Sequence, residues 1–415
     1  VWGGGWLTNE FAGVYYVDFA GSSLIHMVGG ISSFIGALIL GPRYGKYLDK
    51  DGRPTLLRRE AKYVRAVPGH NLTVGALGVF ILWFCWYGFN GAATSGMAQL
   101  GQVLVTTTVA AATGTISTMV FTWIKNKKPD VSMTLNGSLA GLVAITAGCA
   151  NVDVAGAFFI GLVAGILVDV AVEVIDKKLH VDDPVGAIAV HGVNGLWGTI
   201  AVGLFSCGIN PVTDEAGNVL SKQLGLFYGG GFNMLGVQLM GIVCIAAWTT
   251  VWMIGLFLLL KHTCGLRASR IEEIEGLDKH EHGLVSAYAN FAPVPLAAEM
   301  RDAGIPAAAA DVTAETPADI PALRASKEDG KLAKVVIVAK QSKFDELKAA
   351  LNKVGVTGIT VTQVLGCGVE KGASEYYRGV KVDMDLLPKV KVEVVVSKVP
   401  VETVVDAARS ALYTG

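Results

Sequence analysis

The chain has 415 residues, with 34 Lys and Arg against 35 Asp and Glu, a balance that leaves no net basic charge for binding nucleic acid. Only 17 % of residues are charged and 52 % are hydrophobic, at a mean hydropathy of +0.49, which argues against an ordinary soluble domain, where about a quarter of residues are charged. Six cysteines, at 85, 149, 207, 244, 264 and 367, form no CxxC pair, so they read as small buried hydrophobes rather than a disulfide framework or a zinc cage. Neither an initiator Met nor a signal peptide precedes the first apolar run, and the chain reads as part of a longer protein.

Seven apolar runs are long enough to cross about 30 Å of hydrocarbon. They lie near 20–41, 71–93, 100–124, 134–150, 153–175, 185–206 and 232–261, and each is predicted to be a helix, because irregular backbone does not face lipid. Recurrent Gly, Ala, Ser and Thr, as in GGISSFIGALILG and GSLAGLVAITAG, let such helices approach closely and predict a packed bundle. Lys and Arg set the orientation. The connection 42–67 holds eight of them, 125–130 three and 176–178 two, whereas 94–99, 151–152 and 207–231 hold only Lys222. Positive charge marks the cytoplasmic side, so the first run descends from outside and everything after 262 lies in the cytoplasm.

Beyond the last span, 263–291 reads as a cytoplasmic segment, 292–331 as an Ala/Pro-rich linker and 332–415 as a second domain. In that domain AKVVIVAK is a predicted strand, FDELKAALNKVG an amphipathic helix, GITVTQVLG a strand, KVKVEVVVSK another strand after a long loop, and VETVVDAARSALYT a helix. The order β-α-β-β-α is a ferredoxin-like sheet without its last strand. The predicted fold class is therefore an all-α polytopic membrane bundle, 1–262, followed by an α+β ferredoxin-like domain. No nucleophile and base pair suggests an enzyme.

Ionisable groups inside a span are costly and mark pathways. One pattern occurs twice: Asp18 precedes His26 by eight residues in DFAGSSLIH, and Asp183 precedes His191 by eight in DPVGAIAVH. At 1.5 Å per residue each His lies about 12 Å inward of its Asp. The two spans run in opposite directions, so the imidazoles are predicted to stand within about 6 Å of each other along the membrane normal, as in an inverted repeat. Both aspartates suit helix N-caps, and Asp18 at the outer mouth suits attraction of a cation. Imidazole handles protons near neutral pH, while no carboxylate ring or carbonyl filter for simple ion conduction is evident. A small protonatable solute fits this chemistry.

The stretches DFAGSSLIH, GHNLTVGALGVFILWFCWYGFN, SLAGLVAITAGCA, VDDPVGAIAVHGVNGLWG and GLDKHEHGLVSAYA strongly resemble the ammonium transporter (Amt/Rh) family over about residues 1–290. The resemblance implies a trimeric membrane protein of typically eleven spans per subunit, with the first three and most of the fourth absent here. It implies a pore carrying ammonium or ammonia past His26 and His191, with no cofactor for transport. It places Trp2 of WGGG and Phe89 of YGFN at the outer vestibule and hydrophobic gate, whereas Trp83, Trp86 and Tyr87 read as an interfacial belt. Ala93 stands where the family commonly has a Ser that hydrogen-bonds the recruited ion. His280, Glu281 and His282 of DKHEHG belong to the family's C-terminal segment and are assigned to docking on the cytoplasmic loops, not to a metal site.

The tail, from KFDELKAALNKVG to VKVEVVV, resembles PII nitrogen-signalling proteins. That resemblance implies an ATP or ADP site involving Gly366, Gly368 and Lys371, with Lys389 of LPKVK retained. It also implies a T-loop within 367–388 whose Arg378 sits where related regulators enter the cytoplasmic pore mouth. Glu370 replaces the family's Gln at the 2-oxoglutarate and magnesium site, which argues against that response, and Val382 replaces the Tyr that some bacteria uridylylate. A flexible linker of about forty residues reaches roughly 35 Å, so docking is expected to be intramolecular at about millimolar effective concentration. The expected protein is a homotrimeric ammonium channel in the cell membrane, contacting lipid and regulated by its own cytoplasmic PII-like domain. An ammonium sensor that signals through this domain with little flux remains the alternative.

Overall fold

The computed structural model describes residues 5–69, 71–214, 216–282, 332–340, 343–356, 358–366, 375–377, 380–382, 387–396 and 399–412. They form two compact units: a helical one, which holds the described residues up to 282 together with Tyr376, Tyr377 and Val380, and a small α/β one, which holds the other described residues from 332 onward.

The helical unit opens with a short hairpin, β1 (Glu10–Phe11) and β2 (Val14–Tyr15), that leads into α1 (Ser22–Leu40). A small antiparallel sheet follows, made of β3 (Tyr47–Leu48), β4 (Pro54–Thr55) and β5 (Tyr63–Val64), with β3 in the middle. Next come α2 (Leu72–Gly91), α3 (Met97–Asn126), α4 (Val131–Ile145), α5 (Val154–Lys178) and α6 (Ile188–Phe205). A hairpin of β6 (Val212–Thr213) and β7 (Val219–Ser221) precedes the long α7 (Asn233–Thr263), and two short helices, α8 (Arg270–Glu275) and α9 (Leu277–His282), close the unit.

Six of these helices are long and apolar enough to cross a membrane by length and composition. The seventh expected span, 134–150, instead yields the 15-residue α4. Its apolar continuation Thr146–Ala150 leaves the helix because its backbone has other partners. Phe19 and Ala20 donate N–H bonds to the carbonyls of Ala147 and Thr146, and Ser22 Oγ accepts from the Ala147 N–H at 2.7 Å. This stretch is fully buried, so protein rather than lipid surrounds its irregular backbone.

Small residues explain the tight bundle. A Cβ on Gly141 would lie 2.2 Å from the Ala110 carbonyl oxygen, and one on Gly198 would lie 2.3 Å from that of Ala144. Helices α1 and α6 meet in the same way, since a Cβ on Gly30 would stand 2.1 Å from both Cα and N of Gly192.

From residue 332 the chain forms β8 (Ala333–Lys340), α10 (Phe344–Lys353) and β9 (Thr360–Gly366), then a separate two-stranded sheet of β10 (Glu375–Tyr377) and β11 (Val380–Val382), then β12 (Leu387–Val396) and α11 (Val401–Leu412). The antiparallel sheet has the order β8-β12-β9, the arrangement of a ferredoxin-like fold lacking its fourth strand. Ile337, Val390, Val392 and Val394 on one face pack with Leu347, Leu351 and Val404 of the helices. On the opposite face Val336, Val338 and Val395 stand exposed, beside the Lys334–Glu393 ion pair.

Replacing Gly30 with Ala is expected to destabilise the bundle by about 1–3 kcal/mol, the usual cost of overpacking. Gly29→Ala meets nothing within 4 Å and should be nearly neutral. Thermal midpoints of the two variants in detergent check this.

Candidate functional site

Asp18 and Asp183 start the two helices that carry the histidines. Asp18 Oδ2 accepts from the N–H groups of Ser23 and Leu24 at 3.1 and 2.9 Å and from Ser23 Oγ at 2.7 Å. Asp183 accepts from the Ala187 and Ile188 N–H groups at 2.8 and 2.9 Å. Gly21, at φ +108°, makes the left-handed turn between Asp18 and the first of these helices.

Each helix then makes a π-helical turn, Ser22–Met27 in α1 and Ile188–Val193 in α6. The His26 N–H reaches back five residues to the Gly21 carbonyl. Both histidines lie within these wide turns, which occur mostly as single turns and often at functional sites. The sequence pattern carries no sign of them.

His26 Nδ1 and His191 Nδ1 are 3.2 Å apart, and the ring planes are inclined by 18°. His26 is 7 % exposed, and its Nε2 is buried with no hydrogen-bond partner among the described residues. The backbone contact between Gly30 and Gly192, each within a few residues of a histidine, permits this approach.

Two aromatic rings from α2 flank the pair. Trp86 stacks on His26 with centroids 5.1 Å apart at 15°, and Phe89 lies 5.5 Å from the same ring. The Trp86 Nε1–H donates to Thr146 Oγ1 at 3.0 Å, which fixes the plane of the indole. Trp86 is therefore buried beside His26 and is not part of an interfacial belt. Its spacing of three residues from Phe89 places both on one helix face, a signal that was available in the sequence. Trp83 and Tyr87 bond to each other instead, and the Tyr87 hydroxyl also meets Thr108.

Asp18 also borders a cavity of about 370 Å³ whose wall includes Trp6, Tyr16, Leu24, Asn151 and Gln223. Two buried acceptors in this wall, Asp18 Oδ1 and Asn151 Oδ1, have no partner among the described residues. Trp6, Asn151 and Gln223 were not singled out by the sequence; they are scattered over more than two hundred residues, and only the fold assembles them.

Ion pairs tie the connection after α1 to the end of α5 and to the segment that leads into α6. The guanidinium of Arg43, just after α1, donates to both carboxylate oxygens of Asp182 at 2.8 and 2.9 Å. Lys46 and the Tyr47 hydroxyl both reach Asp176. Burial opposes ionisation of Asp182, but hydrogen bonds and charge from Arg43 outweigh it and hold this carboxyl below the usual carboxylate range.

Gly366 ends β9 opposite Leu387, and Lys389 is half-buried on β12 between Val364 and Lys340. Trp2, Gly368, Glu370, Lys371 and Arg378 lie outside the described residues.

The contribution of the Arg43–Asp182 pair should be complete above the ordinary aspartate pKa, near 4, and should disappear as pH falls through the lowered folded value. Asp182→Asn is expected to cost about 1.5–3 kcal/mol at neutral pH, as for a charged hydrogen bond. The difference in thermal midpoint between wild type and variant should narrow progressively below pH 4.

Residues 1–287 match the model of the Ammonium Transporter Family, and residues 332–415 match that of Nitrogen regulatory protein P-II. Ammonium transporter Amt2 of Archaeoglobus fulgidus is 42 % identical over 300 residues, covering 70 % of this chain and 60 % of its own length. Ammonium transporter 1 member 1 of Solanum lycopersicum is 38 % identical, covering 68 % of this chain and 58 % of its own. The chain thus spans about three fifths of the length of these relatives. Among solved structures, one titled Sensor Amt Protein superposes with a TM-score of 0.55 at 34 % identity, covering 64 % of this chain and 60 % of that one. Mep2 of Candida albicans gives 0.54 at 25 % identity, covering 67 % and 60 %.

Proposed function

Because the chain belongs to the Ammonium Transporter Family and carries a fused P-II domain, we propose that it conducts ammonium across the cell membrane through a pore lined by His26 and His191. The observation that carries this reading is the 3.2 Å contact between the two Nδ1 atoms inside the bundle. Such a contact needs one donor and one acceptor, so the pair holds a proton that can shift between the rings.

The route begins at the cavity beside Asp18. A carboxylate and an amide oxygen with unused lone pairs, together with the Trp6 ring in the same wall, suit a small cation. An aromatic face adds about 0.5–2 kcal/mol to its capture. Trp2 joins this vestibule and Phe89 forms part of the gate that follows. Ammonium gives up its proton there, ammonia passes the gate, and the proton travels by way of the histidine pair. Trp86 holds the His26 ring in plane.

The P-II domain binds ATP or ADP through Gly366, Gly368 and Lys371, with Lys389 and Glu370 shaping effector response, and its T-loop carries Arg378 to the cytoplasmic exit. The protein acts as a homotrimer, a reading supported by two apolar surfaces. One is the exposed Val336, Val338 and Val395 face of the sheet, and the other is the groove between α3 and α5 lined by Ile116, Val120, Phe158 and Ile166. It catalyses no covalent step. The likeness to a structure titled Sensor Amt Protein supports a second reading, an ammonium sensor with little flux.

Proteoliposomes containing the complete protein separate the two readings. A channel gives ammonium-evoked current that falls at least tenfold in His26→Ala or His191→Ala; a sensor gives negligible current in wild type. Undiminished and equally selective current in both variants would count against the proton relay.

With ADP or ATP on the tail side, Arg378→Ala should relieve inhibition as fully as removal of residues 332–415. Uptake that never responds to either change would reject the gating role.

A further inference from the structure

The connection between α1 and α2 holds a feature that transport does not use. Residues 58–60 form a short helical turn between β4 and β5, fixed by Leu57 N–H to Thr55 Oγ1 at 3.1 Å and Ala61 N–H to the Arg58 carbonyl at 3.2 Å. The sheet beneath it is anchored by Tyr47, which is fully buried and bonded to Asp176. On this rigid base Leu56, Leu57 and Tyr63 are 46, 49 and 58 % exposed. Arg53, Arg58, Arg59 and Lys62 are exposed beside them and form no ion pair among the described residues.

Large exposed apolar side chains and cations without an ion pair among the described residues, gathered in one short ordered connection, are unfavourable in water and suit the boundary between headgroups and acyl chains. The chain path puts the surface near that boundary, since α1 ends at Leu40 and α2 starts at Leu72. Clusters of four or more Lys and Arg next to a span favour an anionic leaflet. Glu60 is the acidic residue inside the turn, and its carboxylate accepts from Thr55 Oγ1.

We propose that the surface formed by Leu56, Leu57, Tyr63 and the four cations seats on the anionic cytoplasmic leaflet, with Arg58, Arg59 and Lys62 binding lipid phosphates. The seat would hold the loop that joins the end of α1 to the start of α2, whether or not ammonium crosses the pore.

Native mass spectrometry of the full chain in detergent, with phosphatidylglycerol and phosphatidylcholine as separate probes, tests this. Wild type should retain phosphatidylglycerol preferentially. The variant R58Q/R59Q/K62Q should retain it on the order of a hundredfold more weakly, given the usual attraction of three such cations, with phosphatidylcholine retention unchanged. R58K/R59K should keep the preference, because a phosphate accepts from either cation, and this separates lost charge from lost folding. Leu56→Ser with Leu57→Ser should weaken both probes. Wild-type phosphatidylglycerol preference in the triple Gln variant would overturn the proposal. So would cross-links from Lys62 to the P-II domain that anionic lipid fails to displace.

Discussion

Two helices without side chains at their crossing allow two imidazoles to touch. At Gly30 and Gly192 the backbones of α1 and α6 lie so close that one methyl group would overlap main-chain atoms, and the His26–His191 contact follows from that closeness. A neutral pair joined through Nδ1 has a direction: the donor ring leaves its Nε2 as an acceptor, and the other ring presents Nε2–H. Moving one proton across the 3.2 Å gap and resetting the outer protons reverses that direction. The arrangement therefore suits transfer of protons better than retention of a bare cation, which would need acceptors on every side.

The helices must also be held at their ends, because a slip of a few tenths of an ångström would break the contact. Asp18 and Asp183 fix one end of each by accepting from free N–H groups. At the far end of α1 the guanidinium of Arg267 donates to the Leu40 and Pro42 carbonyls and pairs with Glu273, while the Tyr44 N–H donates to the same Glu273. Carbonyls that a helix end leaves unpaired are thus closed by a residue more than two hundred positions away. Arg43 then ties this corner to Asp182, the neighbour of the cap on α6. These pairs are only partly buried, and each ties a segment beside one histidine helix to a distant part of the chain, which limits how far the imidazoles can move apart.

The framework of this site was legible in the sequence because its signals are local. The repeated Asp and His spacing, opposite span directions from Lys and Arg counts, and small-residue stripes each require only neighbouring residues. What was not legible depends on contacts between distant segments. Trp86 shares a helix face with Phe89 three residues on, which the sequence did show, but its place beside His26 is fixed by Thr146, sixty residues later, which accepts its indole N–H. The apolar run through Ala150 reads as helix until Phe19 and Ala20 are seen to use its carbonyls. The π-helical turns have no composition of their own. The chain order of strands and helices in the small domain was legible from short Val-rich runs and two helical patterns, whereas its nucleotide residues rest on resemblance, since a short GxG carries little local information.

A regulator carried on the same chain cannot be diluted away from its target. At an effective concentration near millimolar, docking on the proposed reading would stay occupied for any dissociation constant well below millimolar, so abundance would not be the signal. Control on the proposed reading must instead come from the shape or charge of the loop around Arg378. On the proposed reading the substitutions at Val382 and Glu370 leave bound nucleotide as the input expected to reshape that loop.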